Sequence, residues 1–164
     1  MDNFNSKTYI STSSEVSDKY LEIASADEKS AGILENARLW NQAGYLYVQS
    51  MEKLIKAKIA NKIDVLNFGF AEQFRGTLGH SLEKSIDMLV DIYAGGDAHL
   101  CSHMKQQLLN QVLRGVNFAL LHNHLRYPFF NKKYKDYISI DLTESDCKLL
   151  KNMLAGLKAY LSFL

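Results

Sequence analysis

Proline occurs once in these 164 residues, cysteine twice, and neither sign of charge dominates. With Pro128 as the lone proline, almost the whole chain is free to run as helix, since proline is the residue that interrupts one most strongly. Cys101 and Cys147 are too few for a disulfide framework and do not form a CxxC pair. They read as free buried thiols of a reducing compartment. Lys and Arg number 19 against 18 for Asp and Glu, a net charge of +1. That balance excludes a protein that coats nucleic acid by bulk charge and leaves room for a local basic patch. No apolar run approaches the roughly 18 residues of a membrane-spanning helix. The opening MDNFNSKTYISTSSEVSDK lacks the apolar core of a secretory signal, so the expectation is a cytoplasmic protein with no membrane part.

What is present suits one globular domain: 47% of the residues are hydrophobic, enough for a continuous core at this length. Residues 1–13 are polar and are expected to be a flexible tail, with residues 14–164 forming a single domain. Val16, Tyr20 and Ile23 recur at helical spacing and predict a short amphipathic helix. Asp27 is placed to cap the next one. There Leu34, Ala37, Trp40, Gly44, Tyr47, Met51, Leu54 and Lys58 recur every three or four residues, while Glu35, Arg38, Gln42, Glu52 and Lys56 form a polar face. This predicts one long helix ending near Asn61, with Gly44 marking a close helix contact. The stretch from Ile63 to His80 has no sustained period and reads as a loop with a short helix. Its Phe68, Phe70 and Phe74 are expected in the core or at a dimer interface.

Leu82, Ile86, Leu89, Val90 and Tyr93 share one face of a helix that Gly95-Gly96 closes. Asp97 caps a further helix, with Leu100, Met104, Leu108, Val112, Val116, Ala119 and Leu120 inward, running until Pro128 disfavours helix at Tyr127. In the last segment Thr143 and Asp146 form a capping box with Asp in place of Glu. Leu149, Leu150, Met153, Leu154, Leu157, Tyr160 and Leu161 make its buried stripe. No stretch reads as a convincing strand. The fold expected is all-α: an antiparallel up-and-down bundle of four main helices plus one or two short ones.

Two groups of residues invite chemistry. His99 and His103 lie one turn apart, a spacing that metal-binding helices use. Cys101 points away from them and no HExxH pattern is present, so no metal is expected there. The loop after Pro128 interleaves Lys132, Lys133 and Lys135 with Tyr134 and Tyr137, close behind Arg126 and Tyr127. Lysines can neutralise phosphates while tyrosines stack on bases. The plainer alternative is a solvated joint between helices whose tyrosines pack down on the bundle.

Three stretches, taken in order, resemble the HEPN family of small helical domains. They are ARLWNQAGYLYVQSMEKLIKAKIAN, then GHSLEKSIDML, then LRYPFF followed by LTESDCKLLKNMLAGLKAYL. The resemblance spans most of the chain, and each motif in it is short and degenerate. It implies either a metal-independent endoribonuclease or a non-catalytic relative that binds a nucleotide, RNA or a partner such as a nucleotidyltransferase or antitoxin. It implies a homodimer and no cofactor. Ribonuclease members carry an Arg and a His a few residues apart on a late helix, where His exchanges protons and Arg stabilises the phosphate. Here Arg75 and His80 have that spacing but precede an earlier helix, and Gly76 stands where a polar residue is expected. Arg114 and His122 are too far apart, roughly 12 Å along a continuous helix. The catalytic candidates are therefore Arg75 and His80, and the RNA- or nucleotide-binding candidates are Arg126, Tyr127, Lys132, Lys133 and Lys135. The displaced pair favours the non-catalytic branch, and a helical bundle of other ancestry with a purely protein–protein interaction role stands as a third reading.

Overall fold

The structure, a computed structural model, describes residues 10–72 and 79–164. It is mainly α-helical, as the periodicity predicts. In chain order the elements are α1 (Ser13–Asn36), α2 (Trp40–Ala60), α3 (Phe68–Glu72), α4 (Leu82–Ala94), α5 (Ala98–Gln106), a π-helical segment (Gln107–Val112), α6 (Phe118–His124), β1 (Phe129–Asn131), β2 (Asp136–Ile138) and α7 (Glu144–Ser162). Among the described residues no helix is long and apolar enough to cross a membrane.

Helix α1 starts at a capping box: Thr12 Oγ1 accepts from the Glu15 N–H, and Glu15 Oε2 accepts from the Thr12 N–H, each at 3.1 Å. It then runs unbroken through Asp27, which is no cap but pairs with Lys53 of α2 at 2.5 Å. The break falls instead at Arg38, inside the segment expected to be one long helix. Arg38 takes a left-handed φ of 59°. The Leu39 N–H returns to Leu34 O at 2.9 Å and the Arg38 N–H to Glu35 O at 3.0 Å. This is the hydrogen-bond pattern with which glycine commonly closes helices, here made by arginine. The turn folds α2 back along α1.

Helix α2 is the axis of the molecule, packed against α1, α4, α6 and α7. Tyr47, Met51, Ile55 and Ile59 are at most 1% exposed and meet Ile86 and Leu89 of α4 and Leu154 and Leu157 of α7 in one core. Burying each such side chain stabilises by about 1.5–3 kcal/mol. Gly44 lets Leu142 and Leu150 approach: a Cβ there would stand 2.2 Å from Leu142 Cδ1. Beside it Asn41 clasps the segment before α7, its side-chain N–H donating to Ile140 O at 2.9 Å and its Oδ1 accepting from the Leu142 N–H at 2.7 Å.

The expected helix from Ala98 to Leu125 is also broken. The π-helical segment leads into a turn in which Arg114 (φ 52°) and Gly115 (φ 68°) are both left-handed, and α6 restarts at Phe118. Leu100 and Ala119, expected inward, are exposed, while Leu113 and Phe118 fill the core. The segment read as strandless holds a small antiparallel hairpin, Phe129 opposite Ile138 and Phe130 opposite Tyr137. Phe68 and Phe70 are exposed, not core, and Phe74 lies outside the described residues. Cys147 is buried and Cys101 only half-buried.

Candidate functional site

Glu52 and Lys56 lie one turn apart on α2. Their sequence pattern assigns them to a polar surface, yet both are buried, because α2 is covered on every side. Lys56 Nζ donates to Glu52 Oε1 at 2.7 Å and to Gly79 O at 2.5 Å. The second bond ties the residues preceding α4 to the central helix. That placement brings His80 over the pair, its Nδ1 3.5 Å from Glu52 Oε1, while its ring is largely exposed. Ser81 caps α4 by accepting from the Lys84 N–H, which leaves His80 outside the helix with its side chain free to face the cleft.

The break after the π-helical segment matters here, because it lets α6 present His122 to the same face. The imidazoles of His80 and His122 lie 5.6 Å apart, nearly parallel at 11°. His122 also meets the Tyr45 ring at 5.7 Å. The guanidinium of Arg126 sits 5.1 Å from the Tyr45 ring and 5.1 Å from the Tyr127 ring. One face thus carries a buried carboxylate, a buried ammonium, two accessible imidazoles and an exposed guanidinium, delivered by α2, the α4 entry and α6. A cavity of about 400 Å³ adjoins it, lined by Val16, Tyr20, Lys56, Val65, Gly79 and His80. Burial first, and the Glu52 charge second, raise the Tyr20 phenol above its ordinary pKa.

Beyond Tyr127 the chain enters the hairpin. Lys132, Lys133 and Lys135 occupy its turn and are all exposed. Asn131 Oδ1 shapes the turn by accepting from the Lys133 and Tyr134 N–H groups at 3.0 and 3.3 Å. Tyr127, Tyr134 and Tyr137 are 63%, 66% and 70% exposed, so these tyrosines do not pack down on the bundle. Lys133 lies over the Tyr134 ring, and Phe130 and Tyr137 meet edge to face across the strands.

Of the residues singled out in the sequence, His80, Arg126 and Tyr127 fall on this connected face, and the three lysines lie on the hairpin that follows it in the chain. Arg75 lies outside the described residues. Arg114 and His122 stand on opposite sides of the helix break, so the continuous-helix geometry expected for them does not apply. His99 and His103 are both exposed on α5. Glu52, Lys56 and Tyr45 were not singled out as site residues, and His122 was weighed only as a partner of Arg114; Glu and Lys one turn apart are the ordinary pattern of a solvated helix face, so the spacing does not mark the pair. The two thiols are poor nucleophiles. Burial, with Glu35 second, pushes Cys147 up to about 11, and the hydrogen bond to Asp91 raises Cys101.

No family model matches the chain, and no curated protein or solved structure is significantly similar to it.

Proposed function

We propose that this is a non-catalytic HEPN-like protein that binds single-stranded RNA or a nucleotide along the face running from His80 and His122 to the lysine hairpin. The observation that supports this most is Arg126, whose guanidinium lies against the Tyr45 and Tyr127 rings on the histidine face, just ahead of the hairpin in the chain. A guanidinium so held can grip a phosphate while Tyr127, Tyr134 and Tyr137 offer exposed rings for bases. The protein acts as a homodimer in the cytoplasm, alongside a nucleotidyltransferase or antitoxin partner. In fluorescence anisotropy with a labelled mixed-sequence single-stranded RNA, Arg126→Ala and the triple Lys132, Lys133, Lys135→Ala variant should each weaken binding. Stacking on one base is worth about 1–3 kcal/mol, so Tyr127→Ala should weaken it about 5- to 150-fold. Equal affinity in all these variants would reject the surface.

A second reading, a metal-independent endoribonuclease, draws support from the two neighbouring imidazoles. Imidazole is the side chain that exchanges protons most readily near neutral pH, and the His80 and His122 rings lie 5.6 Å apart. Arg75 would be its phosphate-binding partner. Cleavage of labelled RNA in EDTA, abolished in His80→Ala and in Arg75→Ala, would establish this reading; intact RNA at every protein concentration would reject it.

A further inference from the structure

We propose that Glu52, His80 and His122 form a binding site for a first-row transition dication, zinc being the ion of choice. One ligand atom from each residue lies within 4.8 Å of the other two, a spread that small rotations of two accessible imidazoles close to bonding distance. The donor set is one carboxylate oxygen and two imidazole nitrogens. Zinc takes such N and O donors at about 2.0–2.2 Å and, with three protein ligands, keeps a fourth position open.

The three residues differ in how firmly they are held. Glu52 is rigid: its side chain is 3% exposed and Oε1 is fixed by Lys56 at 2.7 Å. His80 and His122 approach from the solvent side, and their partial exposure provides the entry path. His122 Nδ1 also lies 3.4 Å from Asn123 Oδ1, a neighbour of the kind that orients metal-bound imidazoles.

Lys56 sets the selectivity. Its ammonium lies against the one carboxylate, so an ion that relies on oxygen ligands and charge alone is opposed. Mg²⁺ and Ca²⁺ are such ions, and each prefers more oxygen donors than this face supplies. An ion bound chiefly through imidazole nitrogen is opposed far less, which selects Zn²⁺ and its first-row neighbours. His99 and His103, the pair that helical spacing suggests, belong to no such three-ligand group among the described residues.

The inference concerns binding alone and does not depend on the RNA-binding reading; a failure of either leaves the other intact. The test is zinc titration of the tag-free protein by calorimetry, with cobalt as a visible-absorption probe. The expected result is one zinc per chain, unaffected by excess Mg²⁺, with affinity reduced about tenfold or more in His80→Ala and in His122→Ala; even outer-shell losses act on that scale. A His99→Ala/His103→Ala variant should bind zinc as the parent does. Far-UV circular dichroism checks that each variant is folded, and His80→Gln and His122→Gln, closer in size, serve if an alanine variant is not. Absence of stoichiometric zinc binding would overturn the site. So would binding retained in both folded single variants, or binding abolished by the His99/His103 change.

Discussion

Glu52 and Lys56 carry opposite charges 2.7 Å apart, with 3% and 7% of their side chains exposed. Desolvating two ions is expensive, and the pair is tolerated because each charge neutralises the other and Lys56 has a second acceptor in Gly79 O. Removing one partner strands the other. Lys56→Met should therefore destabilise the fold by about 3–5 kcal/mol, measured by urea denaturation, whereas Glu52→Gln/Lys56→Met together should cost less than Lys56→Met alone. A coupling of zero in that cycle would show that the pair contributes nothing as a pair. Sequence could not reveal this. Glu and Lys at i and i+4 on a helix are the ordinary pattern of a solvated face, and only the helices packed around α2, encoded elsewhere in the chain, decide that this pair is dry.

At the level of elements, the caps of α5 and α7 and the close of α4 were legible, whereas Asp27 is no cap and the breaks were missed. Asp97 accepts from the His99 and Leu100 N–H groups at 2.9 Å, Gly95 closes α4 with a φ of 59°, and Thr143 with Asp146 opens α7 as a reciprocal box. Each uses the residue type that the backbone geometry requires. The turns after α1 and after the π-helical segment place Arg38 and Arg114 in the left-handed region, which L residues with a Cβ seldom occupy. No composition rule flags an arginine for that task, and so two helices were expected to run on. Thr143→Ala should cost about 1 kcal/mol in thermal or urea unfolding. The same box has a pH signature. Hydrogen bonds from the Thr143 side chain and then its backbone hold the Asp146 carboxyl below its usual 3.8. A depressed folded-state value means stability that is complete above the ordinary value and is lost as pH falls through the lowered one. The parent should therefore lose this increment on acidification below pH 4, and Thr143→Ala, which keeps only the backbone hydrogen bond, should show a smaller one.

For the whole molecule, a net charge of +1 means that any attraction for nucleic acid is local to one face. Four cations, Arg126, Lys132, Lys133 and Lys135, can neutralise phosphates there. At about 0.7 per contact for a single strand, log affinity should fall against log salt with a slope of about −3. A slope near zero would exclude phosphate contact at these four, and a much steeper one would mean that other basic residues take part. The helical fold class and most core faces were legible because apolar period survives without context. The face itself was legible only in pieces, since the chain scatters it over residues 45–127 and its assembly depends on two turns that no motif announces.

Asn41 reaches across about a hundred residues to hold Ile140 and Leu142, and this spacing has a consequence during synthesis. A ribosome adds roughly 5–20 residues each second. Helix α2 can fold back on α1 as soon as both have emerged, but the side of α2 that carries Gly44 waits on the order of ten seconds for α7 to be made. Through that interval the nascent chain shows an open apolar strip to its surroundings, and a chaperone that binds such strips would have its opportunity there.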